Sequence, residues 1–130
     1  MHNLNKAVIV SARLGSTRLP GKALKSLQGI EMIRFLFQRL KTSKFLDTFV
    51  FATTISDEDK ILTEIAIDEG FKVFKGSTDN LVSRYYEAAS LYNVDLICRV
   101  TGDCPFVDGK MIDYCIEKIL HTTFDLATTK

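Results

Sequence analysis

What most narrows the fold of this chain is a regular alternation between short apolar runs and longer stretches with helical spacing. The first run, Ala7-Val8-Ile9-Val10, has no polar face and predicts a strand buried on both sides. Ile33, Leu36, Phe37 and Leu40 then fall at i, i+3, i+4 and i+7, one apolar stripe of a helix over residues 31–43. Residues 49–52 predict a second strand. Ser56 caps a second helix whose acidic first turn (Asp57, Glu58, Asp59) suits the helix dipole, with Ile61, Leu62, Ile65 and Ala66 as its buried face. Gly70 stops that helix, and residues 71–74 form a third strand. The turn at residues 76–80 caps a helix over 81–91, and residues 94–100 make the fourth strand. Asp108 caps a last helix bearing Ile112, Cys115, Ile116 and Ile119, before a fifth strand at 124–127.

Strands that alternate with helices pair in parallel, with helices over both faces of the sheet. The predicted class is therefore α/β, a three-layer α/β/α unit with a mainly parallel sheet. Right-handed crossovers put every strand-to-helix loop at one edge of that sheet. Residues 13–22, 53–54, 76–79 and 101–105 then gather around one cleft. With 130 residues and no repeat, linker or low-complexity tract, the chain reads as one domain.

The first of those loops, Ala12-Arg13-Leu14-Gly15-Ser16-Thr17-Arg18-Leu19-Pro20-Gly21-Lys22, packs three cations, two glycines and two hydroxyls into a short span. Glycine lets backbone approach a ligand closely, and Arg13, Arg18 and Lys22 supply charge for a polyanion. A solvated basic turn is the plainer reading of such a loop. Two other glycine-rich loops are excluded. A Walker A loop has four residues between its glycine and Gly-Lys, then Ser or Thr; here five separate Gly15 from Gly21-Lys22, and Ala23 follows. The dinucleotide fingerprint fails because Thr17 stands where its second glycine belongs.

A formal net charge of +1 gives no sign of a nucleic-acid coat or a polybasic membrane anchor, and cations concentrated in one loop favour a small anionic ligand. Cys98, Cys104 and Cys115 are odd in number and lack metal spacing, so they read as free thiols in a reducing cytoplasm. His2 and His121 do not form a zinc site with each other. No signal peptide or apolar run of membrane-spanning length is apparent. A receiver domain has similar length and alternation. It needs an acidic cluster after the first strand and an Asp after the third, where this chain has cations and Lys75-Gly76.

Ala12-Arg13-x-Gly15-Ser16-x-Arg18-Leu19-Pro20-Gly21-Lys22 resembles the nucleotide-binding signature of the cytidylyltransferases. These are the CMP-sugar synthetases of the acylneuraminate and Kdo type and, more closely, their spore-coat-polysaccharide relatives. Ala52-Thr53-Thr54, Phe74-Lys75-Gly76-Ser77-x-Asp79, Arg84-Tyr85-Tyr86 and Arg99-Val100-Thr101-Gly102-Asp103-Cys104-Pro105 follow in the family's order and spacing. Ser11 stands where the family usually has Gln or Pro. The resemblance implies a Rossmann-like fold of the nucleotide-diphospho-sugar transferase type and transfer of CMP from CTP to a sugar or sugar acid, with release of pyrophosphate. Polysaccharide biosynthesis in the cytoplasm, without nucleic acid or membrane, and a possible homodimer complete that expectation.

The resemblance implies that Arg13 and Lys22 are catalytic cations on the triphosphate, with Ala12, Gly15, Ser16, Thr17 and Arg18 binding nucleotide around them. Asp103, two residues past a strand, suits a magnesium ligand or a turn aspartate on chemistry alone, and the resemblance implies the metal role. It also implies a second metal acid in a C-terminal part beyond residue 130, so the chain reads as the N-terminal part of a longer enzyme. The alternative is a truncated nucleotide-binding module without catalysis of its own. Thr53 and Thr54 are strand-ending β-branched residues or contacts to base or ribose. Ser77 and Asp79 serve as turn and helix cap or touch nucleotide, and Thr101 and Gly102 enter the nucleotide set through the resemblance. Arg84 reaches the cleft or solvates a helix face. Tyr85, Tyr86 and Tyr92 read as packing residues with wet hydroxyls.

Overall fold

A computed structural model of the chain describes residues 4–11, 26–27, 30–54, 60–76, 80–101 and 107–120. Among the described residues four strands form one sheet in the order β5-β4-β1-β6: β1 (Lys6–Ser11), β4 (Thr48–Thr54), β5 (Lys72–Gly76) and β6 (Leu96–Thr101). All three pairings are parallel. Helices α1 (Met32–Leu40), α2 (Lys60–Asp68), α3 (Leu81–Leu91) and α4 (Gly109–Leu120) alternate with them. The three-layer α/β/α class expected from the sequence is the observed one. The expected fifth strand at 124–127 and the Ser56 cap lie outside the described residues.

β1 is central because its sequence tolerates nothing else. Ala7, Val8, Ile9 and Val10 have no exposed surface, as a strand covered on both faces requires. Val8 and Val10 join Phe51, Val100 and the inner faces of α1, α2 and α4 in one core. Ile9 joins Val50, Ala52, Tyr85 and Ala88 in a second, smaller core beneath α3. The predicted stripe of α1, Ile33, Leu36, Phe37 and Leu40, is entirely buried. Phe37 is the hinge of the larger core, its ring 4.4 Å from Phe71 and edge-on to Phe51 at 5.5 Å.

Several local expectations are corrected. A two-stranded antiparallel ribbon, β2 (Ser26–Leu27) with β3 (Ile30–Glu31), precedes α1; strands this short carry no periodicity to detect. On α2, Ile61 is exposed and Thr63 is buried, because the helix leans so that 62, 65 and 66 face the sheet and 63 flanks them. Asn80 caps α3, with its side-chain oxygen accepting from the Ser83 amide at 3.0 Å. The cap therefore falls one residue beyond Asp79. Gly70 ends α2 at a positive φ of 84°, as expected, whereas Asn93 does the same service after α3 at 56°.

One asparagine ties the amino edge of the sheet. The Asn5 side chain donates to the Tyr92 and Asn93 carbonyls, its carbonyl accepts from the Asp95 and Leu96 amides, and its amide oxygen accepts from the Thr48 hydroxyl. Beside it, Asp47 accepts from the Lys6 amide, which holds its carboxyl below the ordinary value, against a smaller opposing push from burial.

Candidate active site at the carboxyl edge

The chain runs from β1 outward to β4 and β5, then returns to the other side of β1 for β6. The direction of winding reverses between β1 and β6. In open parallel sheets ligands bind outside the carboxyl ends of the strands at such a switch point. Here the two strands end level. Ser11, the last residue of β1, pairs with Thr101, the last residue of β6. The segment beginning Ala12-Arg13 and the segment Gly102-Asp103 thus leave from adjacent strand ends.

Of the residues expected to be catalytic, to bind nucleotide or to hold metal, Thr53 and Thr101 are described. Thr53 is fully enclosed next to Lys75, and Thr101 closes β6 beside Ser11. Ala12, Arg13, Gly15, Ser16, Thr17, Arg18, Lys22, Ser77, Asp79, Gly102 and Asp103 lie outside the described residues. Among the described residues no group of three His, Cys, Asp or Glu side chains is arranged to hold a metal.

The described part of the edge adds residues whose roles sequence reasoning left open or misread. Arg84, on the first turn of α3, is 5% exposed, so it does not solvate a helix face. Its stem lies over the end of β5: a Cβ on Gly76 would come within 3.0 Å of Arg84 Cγ and 2.7 Å of the Phe74 ring. Gly76 therefore leaves the space that Arg84 occupies. Tyr85 is not a wet tyrosine. Its hydroxyl donates to Ser11 Oγ at 2.9 Å, with both residues buried, and the Arg99 guanidinium lies over its ring at 5.2 Å. The Tyr92 hydroxyl likewise donates to the Val73 carbonyl, while Tyr86 is exposed. Helical spacing distinguishes the buried tyrosine from the exposed one only when the packed face is known. Lys75 and Arg99, both exposed, add positive charge along the same edge.

Of the three cysteines, Cys98 and Cys115 are described. Cys98 and Cys115 are unbridged, and burial, then the nearby Cys115 and Asp113, push the Cys98 thiol up to about 11. Burial of this kind disfavours the thiolate form. Among the described residues no helix is long and apolar enough to cross a membrane.

A parallel α/β unit whose winding reverses between β1 and β6 has the arrangement at which open sheets bind ligands. Comparison with known sequences makes the assignment specific. The sequence model described as Cytidylyltransferase matches residues 7–130, and the chain belongs to that family. It is 38% identical over 113 residues to the spore coat polysaccharide biosynthesis protein SpsF of Bacillus subtilis, covering 84% of this chain and 47% of that protein. It is 29% identical over 129 residues to the 3-deoxy-manno-octulosonate cytidylyltransferase of Pelobacter propionicus, covering 98% and 49%. A solved cytidylyltransferase structure from Leptospira borgpetersenii superposes with a TM-score of 0.87 at 39% identity, covering 92% of this chain and 50% of that one. The chain spans about half the length of these relatives.

Proposed function

We propose that this chain forms the nucleotide site of a CTP-dependent cytidylyltransferase that activates a sugar or sugar acid and releases pyrophosphate. Membership of the family and the level ends of β1 and β6 support the reading together. The names of its relatives favour a sugar acceptor in polysaccharide synthesis.

In this reading Arg13 and Lys22 hold the β- and γ-phosphates and neutralise charge as pyrophosphate departs. Arg18, the backbone and hydroxyls of Ser16 and Thr17, and the segment Ala12 to Gly15 complete the cradle. Ser77, Asp79, Thr101 and Gly102 surround the nucleoside from the strand ends, and Thr53, fully enclosed in β4, supports them from beneath. Asp103 follows β6 by two residues, and one carboxylate beside a triphosphate is a donor set that fits magnesium, which takes few protein ligands and keeps phosphate and water oxygens. When bound there, magnesium supplies further charge neutralisation at the phosphates. The protein's own contribution is to hold the phosphates in line with the attacking hydroxyl and to exclude water.

The test is a calorimetric panel of CTP, ATP, GTP and UTP against the 130-residue chain, with and without magnesium. The expected result is a preference for CTP, strengthened by magnesium. A response to ATP alone would overturn the assignment. Binding of CTP without transfer to any sugar acid would support the alternative, a nucleotide-binding module.

A further inference from the structure

The bond between Tyr85 and Ser11 has a place in the fold that packing alone does not require. Ser11 is the last residue of β1 and is 7% exposed. Its hydroxyl meets the Tyr85 hydroxyl, from a residue 74 positions later on α3, in a buried contact of 2.9 Å. Tyr85 is itself held on two sides. Its ring packs in the smaller core with Ile9, Val50, Ala52 and Ala88, and the Arg99 guanidinium lies over it at 5.2 Å. Arg99 is the β6 residue paired with Ile9, one pair of alternation before the Ser11–Thr101 pair. One tyrosine of α3 thus meets β1, β4 and β6 just beneath the switch point.

We propose that Tyr85 is a positioning residue of the nucleotide site: through Ser11 it fixes where the segment beginning Ala12-Arg13 leaves the sheet. The proposal rests on the nucleotide reading above. A buried hydroxyl pair with both partners satisfied gives a single geometry, and deleting the phenol oxygen leaves the ring and its packing in place while freeing the strand end. Cations that grip a triphosphate tolerate little displacement, so the loss falls on ligand binding more than on folding.

The experiment is a double-mutant cycle on the whole chain with Tyr85→Phe, Ser11→Ala and both, read by magnesium-CTP affinity and by the melting temperature without nucleotide. Each single variant is expected to bind about fivefold more weakly, as loss of one net hydrogen bond implies, and the double variant no more weakly than either. Additive losses, or Tyr85→Phe binding as tightly as the parent, would overturn the proposal and leave a purely structural bond. Hydrogen exchange separates this from the nucleotide reading, because it needs no ligand. The amides of Ala12 and Arg13 should exchange faster in Tyr85→Phe while those of β4 do not. If the parent binds no nucleotide, the transferase reading fails, and unchanged exchange at residues 12–13 would sink the positioning role by itself.

Discussion

Single glycines and carboxylates carry much of what holds this fold together. Gly109 opens α4 directly against the turn that follows α1. A Cβ there would fall on the Ser43 amide nitrogen and the Thr42 carbonyl carbon, while the Gly109 amide donates to Thr42 Oγ1 at 3.1 Å. In an exposed helix, replacing glycine by alanine stabilises by about 1 kcal/mol. Here the clash is with backbone, which does not swing aside, so Gly109→Ala is expected to destabilise by about 3 kcal/mol in urea unfolding. A neutral or stabilising result would mean that α4 shifts freely. At Gly76 it is side chains, those of Arg84 and Phe74, that fill the space a side chain would need. Gly109 does not stand out in the sequence, since the turn that demands it follows another helix.

At the scale of elements, α4 is fastened to the α1–β4 connection by one carboxylate. Asp113 accepts from the Lys44 and Phe45 amides at 2.8 and 3.1 Å and from the Ser43 hydroxyl. Burial pushes its acidity the other way, yet the hydrogen bonds from Lys44, Ser43 and Phe45 together hold the carboxyl below its ordinary value of 3.8. A depressed folded-state pKa contributes stability that is complete above the unfolded value and lost as pH falls through the folded one. Asp113→Asn is therefore expected to be less stable than the parent by about 1 kcal/mol at neutral pH. That gap should close as pH drops below about 4 in thermal melts taken across the acid range. A gap that persists at pH 2 would assign the loss to shape, not charge. Glu69 behaves alike: burial raises it, and Lys41, Arg34 and Gln38 outweigh that and lower it, linking α2 to α1. Such connections between helices were outside what spacing reveals. Caps are more legible, and Asp108, which accepts from the Met111 amide, was readable in advance. The α3 cap was misplaced only because Ser77, Asp79 and Asn80 are all good caps, and local chemistry does not choose among them.

Across the whole molecule, the order of strands decides where chemistry can occur. The two segments on which the proposed transfer depends, one cationic and one acidic, leave from the neighbouring ends of β1 and β6. Lys22→Ala is expected to weaken CTP binding about tenfold or more, as loss of a charge-assisted phosphate contact implies, without a change in melting temperature. Asp103→Ala is expected to abolish the gain in CTP affinity that magnesium confers, again with the fold intact. Calorimetry with and without the metal reads both, and parental behaviour in either variant would remove that residue from the site. The amino-acid sequence by itself determined the alternation of elements, the burial of residues 7–10 in β1, the buried stripe of α1 and the chemical character of the segment after residue 11. Each of these is a local pattern, set by spacing and residue type within one segment. Only the tertiary structure decided that β6 returns beside β1, that Ile97 and Arg99 stay exposed beyond α3, and that Tyr85 reaches Ser11. Those are contacts between segments far apart in the chain, and which pairs meet depends on how several apolar faces share two cores at once.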